Sequence, residues 1–190
     1  LSEPLRHEEV RGLIGAIRGG FAGARDRAFV WTLYSTGSRC NEALMLDLDD
    51  VDRTSNPWTI RIRFPKGVAR GARPRTVGLR KEARGALECW LRLRGEAPGP
   101  LFVTARGKRV DASHYRRLLP QRARAAGISR RVHPHALRHT FARELHDEGF
   151  SIRLIQLALG HARLDTTQTY LQGLGDPEVI AMTGGRGDDL

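Results

Sequence analysis

Apolar positions in the first third of the chain recur every three or four residues. Val10, Leu13, Ile14 and Ile17 form one such stripe, and Phe29, Val30, Leu33 and Tyr34 form a second that Gly37 closes. Both predict helices. Ser38 is placed to cap a third helix carrying Ala43, Leu44 and Leu46, ahead of the acidic run LDLDDVD and the turn TSNP. The period then changes to two. In WTIRIRF, Trp58, Ile60, Ile62 and Phe64 alternate with Thr59, Arg61 and Arg63, as a half-buried strand requires, and RTVGL supplies a second strand beyond the turn PKGVARGARP. The pair is expected to form a hairpin with a basic tip.

Helical spacing returns at Ala83, Leu87, Trp90 and Leu91 and stops at GEAPGP, after which LFVT reads as either a strand or a buried loop. A basic helical stretch follows, and Pro120 predicts a kink or a break within residues 112–126. Pro134 opens a helix with Leu137, Phe141 and Leu145 on one stripe; Ser151 caps the next helix and Gly160 stops it. A last short helix carries TTQTY, and GGRGDDL reads as a disordered tail. Helices exceed strands, so the expected class is α+β, mainly helical, with a small antiparallel sheet. A length of 190 residues suits one compact domain.

Charge narrows the set of partners. Lys and Arg number 32 against 21 Asp and Glu, a formal charge of +11 that favours a polyanion. Since Lys66, Lys81 and Lys108 are the only lysines, the excess also fits a merely soluble, arginine-rich surface. The distribution says more: residues 61–84 and 106–131 are almost free of acid, while 42–52 hold an acidic cluster, which predicts a basic face. Cys40 and Cys89 form no CxxC, so neither a disulfide framework nor a thiolate metal site is indicated, and a reducing cytoplasm is the expected setting. No apolar run reaches the roughly 20 residues that span a bilayer, so no membrane partner is expected.

The segment HPHALRHT packs three histidines and an arginine into eight positions. On a helix opened by Pro134, His135, Arg138 and His139 fall at i, i+3 and i+4, opposite Leu137 and Phe141. His135 and His139 have the spacing of a zinc pair, but the glutamate of HExxH is missing and Arg138 would set a permanent charge beside any cation. A donor-rich cationic face without a carboxylate suits an anion better, above all a phosphate that gains charge as it reacts. STGSRCNEALML places Arg39 at a helix start with Glu42 three residues on, able to hold its guanidinium. Lys66 lies at the hairpin tip, and LGHARLDTTQTY sets His161 after a glycine stop with Tyr170 nine positions later.

The order TGSRCNEAL, a lysine in the basic hairpin, HALRH, LGH and Tyr170 resembles the catalytic domain of the tyrosine recombinases, the phage integrase and Xer-type enzymes. The resemblance covers roughly residues 5–172. It implies that Arg39 and Arg138 bind a scissile DNA phosphate, Lys66 is the general acid, His135 assists proton movement, His161 bonds the phosphoryl oxygens and Tyr170 is the nucleophile. Glu42 and His139 would support the site, and the hairpin arginines Arg61, Arg63, Arg70, Arg73 and Arg75 would track the backbone of double-stranded DNA. No metal and no cofactor is implied. Residues 1–175 would form the catalytic domain and 176–190 a tail, flexible or docking on a neighbouring protomer through Val179, Ile180 and Met182 in a homo-tetramer on DNA. Members of the family usually carry an N-terminal helical domain that clamps the far side of the duplex. None is visible in these residues, which alone are expected to bind DNA weakly and with steep salt dependence.

The chemistry is consistent with those roles. A tyrosine hydroxyl has an ordinary pKa of about 10 and attacks only once its proton is removed or the phosphate is made more electrophilic. Two arginines do the latter by neutralising the non-bridging oxygens. The leaving 5′ oxygen needs a proton, which a lysine supplies more readily than an arginine. Two further readings use the same residues: a type IB topoisomerase that relaxes supercoils, and a DNA-binding protein of the same fold without catalysis.

Overall fold

In a computed structural model of the chain, residues 4–63, 74–160 and 184 are described. The first helix, α1 (His7–Gly15), buries Val10, Leu13 and Ile14, and Glu9 accepts the Arg6 backbone N–H at 2.8 Å to secure its start. Ile17 is buried just past the helix end. The next helix, α2 (Gly20–Thr36), is buried from Gly23 to Thr36 at every position except Arg27. It is more than the one-sided stripe expected, because it packs against α4 (Lys81–Arg94) and α6 (Pro134–Asp147) at once. A helix covered all round must satisfy its own polar groups, and Thr32 and Thr36 do so by donating to Ala28 O at 2.8 Å and Thr32 O at 2.7 Å.

Gly37 ends α2 in the left-handed conformation, φ 59°, where a Cβ would meet the Phe141 ring at 2.3 Å. Both the torsion and the space demand glycine. The short α3 (Cys40–Leu44) then begins, with Arg39 as its N-cap rather than Ser38. Ser38 is turned inward, with its hydroxyl oxygen 2.9 Å from Thr36 Oγ1 and its backbone N–H donating to that oxygen at 3.2 Å. A 3₁₀ turn at Leu48–Asp50 leads into a three-stranded antiparallel sheet of β1 (Val51–Asp52), β2 (Thr59–Ile62) and β3 (Arg75–Gly78), in that order. The register sets Val51 opposite Ile60, Ile60 opposite Val77 and Ile62 opposite Arg75. The two-residue β1 was too short to produce a period in the sequence.

LFVT is a buried loop closed by an isolated bridge between Val103 and Arg109, and Trp90 of α4 donates its indole N–H to Leu101 O at 2.8 Å. Trp58 and Trp90 are both core residues, as the apolar stripes imply. The next helix, α5 (Ala112–Ala125), runs through Pro120 without a break. The proline deprives the Arg116 carbonyl of its partner, but Arg116 is exposed, so water serves it; Tyr115, Leu118, Leu119 and Ala123 keep the helix packed. Pro134 opens α6 as expected, and α7 (Ile152–Leu159) is capped by Ser151, whose hydroxyl accepts from Leu154 N at 3.3 Å, and closed by Gly160 at φ 66°. The helix expected around TTQTY and the tail lie outside the described residues. Among the described residues no helix is long and apolar enough to cross a membrane.

Candidate active site

The turn at Gly37 brings the end of α2, the start of α3 and the face of α6 together. Arg138 is 5% exposed, and its guanidinium donates from Nη1 to Gly37 O at 2.6 Å and from Nη2 to Leu159 O at 2.8 Å. It therefore ties α6 to the C-terminal ends of both α2 and α7, where helix carbonyls lack partners of their own. Arg39 reaches back to Glu42, with Nη1 2.7 Å from Oε1 and its backbone N–H donating to Oε2 at 3.0 Å. The expected clamp by Glu42 is thus present, and it is stiffer than a surface pair because Glu42 is buried.

A third guanidinium joins them. Arg75 donates from Nη2 to Glu42 Oε2 at 2.9 Å and from Nε to Ala158 O at 2.8 Å, and it is buried. Three arginines thus gather around one carboxylate, leaving a surplus of positive charge. Burial pushes the Glu42 carboxyl up, yet Arg75 and then Arg39 hold it down to about 2. Burial, then Arg39 and Arg75, pull the Arg138 guanidinium down to about 9, with Glu42 opposing. An anion placed among these groups would relieve that repulsion.

On α6, His135 is exposed and sets its ring centroid 5.3 Å from that of His139, edge to face, and 6.4 Å from that of His133. Partial burial, then the charges of His139, Arg138, His133 and Arg39, hold the His135 imidazole below its ordinary value. It is accordingly neutral near pH 7 and can accept a proton. Among the described residues no group of three His, Cys, Asp or Glu converges to hold a metal ion. Cys40, beside Arg39, is a free thiol pushed up to about 11 by burial and packs on the core.

The hairpin arginines divide. Arg61 is exposed on β2. Arg63 donates from Nη2 to Asp47 Oδ2 at 2.7 Å and to Asp50 Oδ2 at 2.8 Å. Arg75, expected on a solvated DNA-tracking face, is instead a buried member of the arginine cluster. The signal for this was present: Arg75 and Val77 share one face of β3, and Val77 is core. Lys66, Arg70, Arg73, His161 and Tyr170 lie outside the described residues. The structure therefore brings together Arg39, Glu42, Arg138 and Arg75, with His135 and His139 on the same helix as Arg138.

A helical body of this order with a three-stranded sheet is the catalytic fold of tyrosine recombinases. The family model described as the phage integrase family matches residues 3–174, and the chain belongs to that family. The tyrosine recombinase XerC of Chromohalobacter salexigens is 39% identical over 150 residues, which cover 77% of this chain and 47% of that protein. The tyrosine recombinase XerD of Mycobacterium tuberculosis is 37% identical over 153 residues, covering 77% and 47%. The crystal structure of XerA recombinase superposes with a TM-score of 0.74 at 35% identity over 96% of this chain and 64% of that one. XerH recombinase bound to difH substrate in a pre-cleavage complex gives 0.72 at 28% identity, over 86% and 48%. The chain spans about half the length of the curated relatives it matches.

Proposed function

We propose that the chain is the catalytic part of a site-specific DNA recombinase that cuts one strand through a 3′-phosphotyrosine and rejoins it to another. The observation that carries this reading is the convergence of Arg39, held by Glu42, and Arg138, held by Gly37 O and Leu159 O, from helices a hundred residues apart in sequence into one another's electrostatic field. Two fixed guanidiniums with surplus charge suit a scissile phosphate. They neutralise its non-bridging oxygens and stabilise the crowded transition state without reorganising at the moment of reaction.

In the proposed cycle the Tyr170 hydroxyl attacks phosphorus, losing its proton to a nearby base, with neutral His135 as the candidate on α6. The bond from phosphorus to the 5′ oxygen breaks as Lys66 protonates that oxygen. The products are DNA joined to Tyr170 through its 3′ phosphate and a free 5′ hydroxyl. A 5′ hydroxyl from a second strand reverses the step, so the phosphodiester is restored without ATP. His161 bonds the phosphoryl oxygens, and His139 braces the histidine face.

The partner is double-stranded DNA. The exposed Arg61 supplies a cation for its backbone. Four protomers would act on two sites in a cytoplasmic setting, with residues 176–190 passed to a neighbour; deleting that tail should abolish synapsis of two sites while leaving single-site cleavage. The central test is incubation with a nicked suicide DNA substrate followed by denaturing electrophoresis. A covalent adduct in the wild type and none in Tyr170→Phe supports the reading, and an adduct that survives the substitution refutes it. Relaxation of supercoiled DNA lacking any specific site would point instead to a topoisomerase.

A further inference from the structure

Arg75 has the burial of a core residue and the side chain of a surface one, being 5% exposed. Its Nη1 is buried without a hydrogen-bond partner and lies against Gly160, where a Cβ would come within 2.5 Å of it. Desolvating a guanidinium is costly before pairing, and an unbonded N–H adds to that cost. An aliphatic side chain opposite Ile62 would close this face of β3 with less penalty. A charge kept there does something besides hold the fold.

The two bonds of Arg75 indicate what. Glu42 Oε2 takes both the Arg75 Nη2 at 2.9 Å and the Arg39 backbone N–H at 3.0 Å, leaving Oε1 for Arg39 Nη1 at 2.7 Å. Three donors thus fix the plane of the carboxylate, and that plane fixes where the Arg39 guanidinium points. On its other side Arg75 holds Ala158 O, next to the Leu159 O that Arg138 holds. Two guanidiniums therefore cap consecutive carbonyls at the end of α7.

We propose that Arg75 is a positioning residue for DNA cleavage: through Glu42 it sets the direction of Arg39, and through the last turn of α7 it sets the seat of Arg138. This rests on the recombinase reading above. Without Arg75, the Glu42 carboxylate loses the donor that ties it to β3 and shifts its plane, Arg39 follows it, and the two arginines assigned to the phosphate lose their mutual spacing. A displacement of about 1 Å in such a clamp costs on the order of 100-fold in rate.

The test is single-turnover cleavage of a suicide DNA substrate at saturating concentration by the 190-residue chain, with DNA affinity measured on the same preparations. Arg75→Gln should cleave about 100-fold more slowly with Kd within about threefold of wild type. Arg75→Lys should recover part of the loss, to about 10-fold below wild type, because it returns a cation to Glu42 but cannot also hold Ala158. Among the described residues, the charged groups that face Glu42 include Arg39 from α3, Arg75 from β3 and, farther off, Arg138 from α6. With Arg75 gone, Glu42 loses the foremost of the cations that hold its carboxyl down, and the acid limb of the cleavage profile should move to higher pH. A purely structural role would lower the folded fraction and leave the rate constant of the folded protein and that limb unchanged. A wild-type rate constant and limb in Arg75→Gln, or in Arg75→Lys should the glutamine variant not fold, overturn the proposal. No adduct from the wild type overturns the recombinase reading itself, and this proposal with it.

Discussion

Two arginine–carboxylate clusters stand within a few residues of one another, and they differ in balance and depth. In the outer one, Asp47 and Asp50 take hydrogen bonds from Arg63 and Arg109, two acids for two bases, with side chains about a third exposed except for the buried Asp50. Arg109 also donates to Leu46 O at 3.0 Å, so the cluster stitches the turn after α3 to the loop that precedes α5. In the inner one, Glu42 answers Arg39 and Arg75, and Arg138 joins them with carbonyls as its partners. The outer cluster is balanced in charge as it stands. The inner one carries charge that its own residues do not neutralise, and it carries that charge where water is scarce. Similar residue types thus make a charge-balanced brace in one place and, in the other, the excess of positive charge on which the proposed anion seat rests.

That contrast can be broken most forcefully at the arginines proposed to bind the phosphate. Arg138→Ala should lower DNA cleavage by about 1,000-fold or more, whereas Arg109→Ala should leave the rate of correctly folded protein within about threefold of wild type. Equal losses in single-turnover assays would erase the distinction between seat and brace.

Stability offers the next contrast. Glu42→Gln leaves the buried Arg75 and the partly exposed Arg39 facing a neutral amide and should cost about 3 kcal/mol in urea unfolding, against about 1 kcal/mol or less for Arg63→Gln at the screened outer cluster. The Glu42 carboxyl is held at about 2 in the folded protein, below its unfolded value of about 4.3. Its contribution is therefore complete above that unfolded value and is lost as pH falls towards about 2. The gap between wild type and Glu42→Gln should accordingly close over that interval. A gap that stays constant down to the acid end would mean that Glu42 is not the group being titrated.

An anion should distinguish the clusters more gently. Sulfate at about tenfold its Kd should stabilise the wild type by about 1.4 kcal/mol through binding. That increment should vanish in Arg138→Gln and persist in Arg63→Gln, with the general salting-out effect common to all three. Thermal unfolding with and without sulfate measures it, and an increment unaffected by Arg138→Gln would place the anion elsewhere.

Much of this was legible beforehand because helix signals are local. Pro134, Ser151, Gly37 and Gly160 act through their own torsions and caps, and the stripe Leu137, Phe141 and Leu145 needs only the helical period to be read. The pairing of Arg39 with Glu42 was equally local, three residues apart at a helix start. The misreadings arose where a neighbour far along the chain decided. Ser38 has the chemistry of a cap, but Thr36 binds it and Arg39 takes that place. Pro120 has the chemistry of a break, but four buried side chains keep α5 packed through it. Arg75 looked like one more cation on a basic hairpin, because nothing near it in sequence announces Glu42 or the end of α7.

The amino-acid order alone thus determined a mainly helical domain with a small antiparallel sheet, a basic character, and the residue types of the proposed phosphate-binding site in a definite succession. Those properties follow from backbone preference, hydrophobic period and composition, which each stretch of chain carries by itself. Which arginines face solvent and which share a buried carboxylate was left to the tertiary structure. The reason is physical: a guanidinium has the same intrinsic charge wherever it sits, and only packing fixes its desolvation, its partners and the field that it leaves for a ligand.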